Sequence, residues 1–232
     1  MAGQDITIAG PDGSFAAYLA SPAAGKGPGI VVIQEIFGVN AVMRAIADDL
    51  AAMGYFALVP DLFWRLEPGV QLTDKTDADW KRAFDLMTRF DAGDGVKDIQ
   101  STINRLRTIE GCSGKVGAVG YCLGGLLAYL TATRTDSDAC VGYYGVNIQT
   151  MLDETRNIKN PLMLHIAEKD EFVPPDAQQK IVDGLSRNPL VTLYRYPGMG
   201  HAFARVGGKH YDKANADLAN SRSATFFRQH LS

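Results

Sequence analysis

The chain has 232 residues, of which 46% are hydrophobic, and a formal net charge of −3 at pH 7. This length can bury a full core and fits one domain over residues 1–232, and the mild negative charge without basic runs argues against a nucleic-acid partner. Because no apolar stretch approaches the roughly 18 to 20 residues of a membrane helix, and no signal peptide is evident, we expect a cytoplasmic monomer without a membrane partner.

The predicted elements alternate along the chain. At the N-terminus, QDITIAG and SFAAYLASP around a Pro-Asp-Gly turn predict an antiparallel hairpin. The runs that predict strands after it are GIVVIQ, YFALV, KVGAVG, ACVGYYG, PLMLHIA and VTLYRYP. The segments with helical periodicity are residues 40–53, 79–90, 96–109, 123–133, 176–185 and 214–231. This alternation predicts an α/β fold, a mostly parallel central sheet with helices on both faces.

A glycine-flanked cysteine lies between the third of these later strands and the helix that follows. The segment is Gly120-Tyr-Cys122-Leu-Gly124. A strand, a tight turn and a helix are the context of a nucleophile elbow, where glycines let the strand and the helix approach closely. The helix start favours a thiolate, and the amide of Leu123 can face an oxyanion. On its own, the pentapeptide also fits a buried structural cysteine.

A cysteine nucleophile needs a histidine base, and the chain has four histidines. His201 lies in a glycine-rich loop after VTLYRYP, where its side chain can reach the sheet edge. His165 falls inside PLMLHIA, which indicates a packed core residue, and we interpret His210 and His230 as solvated. His201 is therefore the candidate base.

The acid that orients the base should follow the strand before His201, because in this fold the chain order is nucleophile, acid, histidine. Asp170 follows PLMLHIA and stands beside the apolar Phe-Val-Pro segment. We interpret Glu168 and Glu171, in the same turn, as solvated charges. Cys122, Asp170 and His201 thus come after successive predicted strands in the required order.

Several motifs together carry a family resemblance over nearly the whole chain. They are QEIFGVN at 34–40, GYCLGG at 120–125, GYYG at 142–145, DEFVP at 170–174 and GHAFAR at 200–205. With them the sequence resembles the dienelactone hydrolase family, cysteine hydrolases of the α/β-hydrolase fold. The resemblance implies a carboxylic-ester hydrolase that opens a lactone or enol-lactone to a maleylacetate-type product through an acyl-thioester, with no cofactor and no metal.

The resemblance also implies roles for the matched residues. Cys122, Asp170 and His201 would form the catalytic triad. The amides of Ile36 and Leu123 would form the oxyanion hole. Glu35 would accept the proton of the resting thiol when substrate binds, and a carboxylate there would disfavour a standing thiolate. The alternative is that Glu35 only holds its loop through hydrogen bonds.

The substrate side of the resemblance is less complete. Arg205 would hold a substrate carboxylate, with a solvated loop arginine as the alternative. Where the family offers a second arginine, this chain has Trp80, which shares one predicted helix face with Phe84 and Met87. That face predicts a more apolar and less cationic pocket, unless it is core packing. The further predicted pocket walls, each with a core role as the alternative, are Phe37, Tyr144 and Phe172.

Other functions fit the sequence less well. A general carboxylesterase acting on a less anionic, more apolar ester shares the same chemistry. A redox-responsive thiol protein would need a resolving cysteine near Cys122, and Cys140 begins its strand whereas Cys122 follows the end of its own. Cys112, Cys122 and Cys140 contain no CxxC pair, which argues against a zinc cluster. An intact set of predicted catalytic residues argues against an inactive binding protein.

Overall fold

The computed structural model describes residues 3–232, in two compact units that divide between Ala118 and Val119. The strands are β1 Gln4–Gly10, β2 Gly13–Ala20, β3 Gly27–Ile33, β4 Phe56–Pro60, β5 Cys112–Tyr121, β6 Ala139–Tyr143, β7 Leu162–Ala167 and β8 Val191–Tyr196. The helices are α1 Ala41–Ala52, α2 Asp77–Arg89, α3 Ala92–Arg107, α4 Leu123–Arg134, α5 Pro175–Leu185 and α6 Lys213–Leu231. Short 3₁₀ helices cover Ile148–Thr150 and Leu152–Asn157.

The strands form one 8-stranded sheet in the order β1-β2-β4-β3-β5-β6-β7-β8. β2 is antiparallel to β1 and to β4, whereas β3 pairs with β4, and β7 with β6 and β8, in parallel. The predicted α/β fold with an N-terminal hairpin is therefore confirmed. The single domain over residues 1–232 stays a prediction, and the first two residues lie outside the described part. Between residues 3 and 232, none of the helices has the length and apolar character needed to cross a membrane.

In the first unit, the helices begin where side chains cap them. The Asn40 side chain accepts from the amides of Val42 and Met43, at 3.1 and 3.2 Å, and starts α1. Asp91 accepts from the Asp94 amide at 2.9 Å, so α3 begins at Ala92 and not at the predicted position 96. α1 and α3 pack against β3 and β4, whose apolar side chains form the core of this unit.

In the second unit, α4 and α6 pack on the parallel strands β6 and β7. The core there contains His165, which is 1% exposed. Its Nδ1 and Nε2 lie 2.7 Å from the Tyr196 hydroxyl and 2.9 Å from the Ser223 hydroxyl. Burial, with the nearby charge of Arg222, lowers the pKa of His165 to about 3, so the ring is neutral. The prediction that His165 is a core residue is confirmed.

Candidate active site

Cys122 lies at the turn between β5 and α4 in a strained main-chain conformation. Its φ of 58° and ψ of −115° are rare for a residue with a side chain. The Cys122 amide donates to the Tyr143 carbonyl at 3.1 Å, and its carbonyl accepts from the Gly125 amide at 2.9 Å. These hydrogen bonds hold the turn, and the cysteine is 7% exposed. This is the predicted strand, turn and helix of an elbow.

Glycines make that turn possible because main-chain segments approach each other there so closely that a Cβ atom would not fit between them. A Cβ on Gly120 would lie 1.8 Å from the Gly124 carbonyl oxygen. One on Gly125 would lie 2.6 Å from the Tyr143 carbonyl oxygen and from the Cα of Gly145. The glycines of the GYCLGG motif therefore meet main-chain atoms, which cannot move aside as a flexible side chain can.

The base and the acid come from the carboxyl ends of neighbouring parallel strands. Asp170 follows β7 and His201 follows β8, so both residues lie at the same edge of the sheet. His201 Nδ1 lies 2.8 Å from Asp170 Oδ2, and the two side chains are 4% and 1% exposed. Asp170 Oδ1 accepts from the Phe172 amide at 2.8 Å, which fixes the carboxylate. The arrangement lets Asp170 hold the imidazole with its Nε2 available.

Two aromatic side chains pack edge-on against the imidazole of His201. The ring centroids of Phe172 and Tyr144 lie 4.8 and 5.2 Å from that of His201. Tyr144 has a φ of 38° and is 2% exposed, whereas Phe172 is 39% exposed. Both were predicted as pocket walls, with a core role as the alternative. The core alternative is wrong for Phe172, and both residues contact the candidate base.

The charge state of His201 depends on its neighbours. Burial disfavours the charged imidazole, but the negative charge of Cys122 and the contact with Asp170 outweigh it and raise the pKa of His201 to about 10. His201 Nε2 is buried and has no hydrogen bond of normal geometry within residues 3–232. The pKa of about 10 therefore belongs to the state in which Cys122 is a thiolate, whereas beside a neutral thiol burial favours the uncharged ring.

Removing the Cys122 thiol should therefore lower the pKa of His201. In Cys122→Ala the effect of burial remains and the attraction to a thiolate is lost, so we expect a pKa below the value of about 10. An imidazole ¹⁵N NMR titration measures it, with Cys112→Ala as the control thiol substitution. The pKa of His201 in the folded protein lies above the ordinary 6.5, so protonation of this ring adds to the free energy of unfolding. This contribution is complete below about pH 6.5 and is lost as the pH rises through about 10. An unchanged pKa in Cys122→Ala would contradict the pairing.

Two residues interpreted from the sequence as solvated contact the main chain of His201. The Glu171 carboxylate accepts from the His201 amide at 3.3 Å. The Nδ1 of His210 lies 3.1 Å from the His201 carbonyl oxygen. The side chains of Glu171 and His210 are 48% and 32% exposed, in keeping with their interpretation as solvated, and each also makes this contact with the main chain. Contacts that span 30 and 9 residues depend on how the loops fold, and no local pattern in the sequence marks them.

The remaining catalytic candidates are buried. Glu35 and Ile36, which follow β3, are 1% and 3% exposed, and Leu123 is 4% exposed. The amide of Leu123 is the first of α4, where amides have no acceptor within the helix. Arg205 is 8% exposed, so the alternative of a solvated loop arginine is wrong.

The predicted apolar face of α2 contains an aromatic stack in the first unit. The rings of Trp80 and Phe84 stack at 5.6 Å, and Phe37 meets Trp80 edge-on at 5.0 Å. Phe84 is 41% exposed and Trp80 is half-buried, while Phe37 is 2% exposed. α2 turns Ala83 and Leu86 into the core, so core packing is wrong as an explanation of Phe84.

Cys140 is poorly suited to react with Cys122. It is 1% exposed, and its sulfur lies 3.4 Å from the Ser137 hydroxyl. Burial raises the pKa of Cys140 to about 12, so its thiol stays protonated at neutral pH. Cys112, Cys122 and Cys140 are all free thiols. In residues 3–232, no three or more His, Cys, Asp or Glu side chains are grouped so that they could hold a metal ion.

Known proteins match the chain over nearly its full length. A protein of Azospirillum brasilense is 51% identical over 98% of this chain and 99% of its own. The carboxymethylenebutenolidase of Pseudomonas putida is 41% identical, with 96% and 95% covered. A crystal structure from Klebsiella pneumoniae subsp. pneumoniae has a TM-score of 0.86 at 24% identity, covering 98% of each chain, and shows the same fold.

These matches confirm two predictions, the α/β-hydrolase fold and a hydrolase that acts on ester or lactone bonds. The dienelactone hydrolase family itself matches residues 15–231, from β2 to the end of α6. The chain belongs to the dienelactone hydrolase family.

Proposed function

We propose that this chain opens an enol-lactone of the dienelactone class, with Cys122 as the nucleophile, His201 as the base and Asp170 as the acid that orients it. The observation that carries the proposal is the 2.8 Å contact of His201 with Asp170, beside a cysteine on a strained elbow whose charge raises the pKa of His201. The Pseudomonas relatives named carboxymethylenebutenolidase support the substrate class.

The proposed reaction has two steps. The Cys122 thiolate attacks the lactone carbonyl, the ring C–O bond breaks, and His201 gives its proton to the leaving enolate oxygen. Water then attacks the thioester while His201 takes a proton from it, and the C–S bond breaks to release the carboxylic acid, which ionises, and the Cys122 thiolate with which the cycle began. The product enol becomes a ketone, as in maleylacetate. In this scheme the amides of Ile36 and Leu123 stabilise the oxyanion of each tetrahedral intermediate.

Within this proposal Glu35 stores the nucleophile as a neutral thiol. A buried carboxylate disfavours a nearby thiolate by repulsion, and it can accept the thiol proton when a substrate binds. We therefore expect Glu35→Gln to be alkylated by iodoacetamide faster than wild type at pH 6, by about 10-fold, which corresponds to roughly one pKa unit. Equal rates would show that Glu35 only holds its loop.

Arg205 is proposed to bind the carboxylate of the substrate. A planar guanidinium can bind a carboxylate through two hydrogen bonds, and Arg205 is buried at 8% exposure. We expect Arg205→Met to raise KM for dienelactone about 10-fold or more and to leave KM for its methyl ester within about twofold. Equal effects on both substrates would argue that Arg205 is structural.

A general carboxylesterase is the second candidate, and the stack of Trp80 on Phe84 favours it. An aromatic surface at the position of the family's second arginine suits an ester without a carboxylate. We expect Trp80→Arg to raise the preference for dienelactone over its methyl ester by about 10-fold, since it adds a cation. Ala78→Arg adds the same charge at an exposed position of α2 and is the control. A wild-type enzyme that hydrolyses the methyl ester faster than the acid would establish the second candidate.

A further inference from the structure

The main chain of His201 differs in its hydrogen-bond partners from that of residues close to it in the same loops. The amides of Lys169 and Asp212 donate to the carbonyls of Met199 and Phe203, at 2.8 and 3.0 Å. In the part of the chain from residue 3 onward, the amide and the carbonyl of His201 have side chains as their only hydrogen-bond partners. Side chains therefore make the hydrogen bonds that hold the main chain of His201 itself.

One of these side chains belongs to a run of three consecutive residues that all contact His201. The Asp170 carboxylate binds the imidazole Nδ1 at 2.8 Å, and the Phe172 ring packs against the imidazole at 4.8 Å. Between them, the Glu171 carboxylate accepts from the His201 amide at 3.3 Å. The loop after β7 thus holds both the ring and the main chain of His201.

The second side chain, His210, approaches from the loop before α6. Its Nδ1 lies 3.1 Å from the His201 carbonyl oxygen and 3.7 Å from Glu171 Oε1. A Cβ on Gly200 would lie 3.0 Å from the same Nδ1, so glycine makes room for this ring. The next residue, Ala202, has a φ of 60°, a conformation that surrounding contacts must maintain.

We propose that Glu171 and His210 are positioning residues that hold the main chain of His201 and thereby direct its Nε2 at the Cys122 sulfur. We call this pair the main-chain clamp. The inference rests on the proposed function, in which His201 is the base. A rigid base matters because a displacement of about 1 Å at a reacting atom can lower a rate about 10²-fold. The side chains of His210 and Glu171 are 32% and 48% exposed, so they can be replaced without opening a cavity in the core.

The clamp predicts a loss of kcat that the conservative variants reverse. We expect Glu171→Ala and His210→Ala to lower kcat about 10- to 100-fold with KM within about twofold, because neither residue binds substrate. Glu171→Gln keeps an acceptor oxygen and should restore most of the rate. His210→Asn keeps an N–H at the δ position and should restore it as well, whereas His210→Gln moves the N–H to the ε position and should not.

A pH profile separates positioning from simple structural support. A displaced Nε2 attracts the Cys122 thiolate less, so alkylation of Cys122 by iodoacetamide should shift to higher pH in Glu171→Ala and His210→Ala. One control is Glu168→Gln, which removes a charge from the loop that contains Glu171; Glu168 pairs with Arg195 of β8 at 2.8 Å. The other control is Lys209→Ala, which changes an exposed residue next to His210. Both controls should retain the wild-type profile and rate.

Each outcome supports or overturns the clamp. Wild-type kcat in both alanine variants overturns it, and so does a lower melting temperature without a shifted alkylation profile. Equal rates for His210→Asn and His210→Gln also overturn it, and this comparison remains available if an alanine variant fails to fold. If Cys122→Ala keeps full turnover, the proposed function fails. If that variant is inactive while the clamp variants match wild type, only this inference fails.

Discussion

Replacing Cys122 by alanine should lower kcat for dienelactone by about 10⁴-fold or more, because the proposed mechanism forms its acyl intermediate on this sulfur. The residual rate would come from the proposed oxyanion donors and from substrate binding, neither of which this substitution removes. Steady-state turnover followed by the absorbance of the conjugated lactone measures the change. The fold should persist because alanine fits a position where a small side chain is 7% exposed.

Two further variants make this test specific. Cys112→Ala removes a half-buried thiol at the start of β5 and should keep the wild-type rate. Cys122→Ser keeps a nucleophilic atom, but a hydroxyl ionises far less readily than a thiol, so we expect a rate between those of wild type and Cys122→Ala. Turnover by Cys122→Ala at the wild-type rate would rule out a cysteine nucleophile.

Replacing Gly120 by alanine should destabilise the protein by about 3 kcal/mol or more, through strain in a region that cannot relax. The new Cβ would lie 1.8 Å from the Gly124 carbonyl oxygen, an atom of the main chain in the first turn of α4. The turn must then open, which moves Cys122 and the amide of Leu123 together. We therefore expect lower activity in the folded fraction as well as a lower free energy of unfolding, measured by urea denaturation.

Gly184→Ala is the matched control for that substitution. Gly184 lies on α5, and the three atoms nearest to a Cβ there would all belong to the Leu152 side chain, at 3.0 to 3.4 Å. A flexible side chain can move by a few tenths of an ångström, and alanine favours a helix over glycine by about 1 kcal/mol. Stability should therefore change by less than about 1 kcal/mol. A Gly120→Ala variant as stable as Gly184→Ala would contradict the close approach at the elbow.

The order of strands and helices could be predicted because local patterns determine it. The predicted start of α1 lies within one residue of the observed one, where Asn40 caps the helix. The start of α3 differs because Asp91 caps this helix earlier than its apolar periodicity suggests. No pattern in the sequence predicts the 3₁₀ helices between residues 148 and 157, since such short segments form through local contacts without a periodic apolar pattern.

The candidate acid and base could be brought together from the sequence because parallel strands bring their carboxyl ends to one edge. That rule predicts the proximity of Asp170 and His201, which lie 2.8 Å apart, and distinguishes them from His165, which lies inside β7. It does not predict the side chains that contact the main chain of His201. Glu171 and His210 reach the His201 main chain through loops, and which way a loop side chain turns depends on contacts distant in sequence.

The central claim is that the substrate becomes covalently attached to Cys122, and mass spectrometry of an acid-quenched reaction tests it most directly. Opening a lactone expels no fragment, so the peptide that contains Cys122 should gain the full mass of the lactone. An open-chain ester would add its acyl group only, since its alcohol leaves. The same peptide should carry no adduct in Cys122→Ala. Rapid turnover with no adduct on Cys122 in wild type, and with the rate retained in Cys122→Ala, would contradict the account.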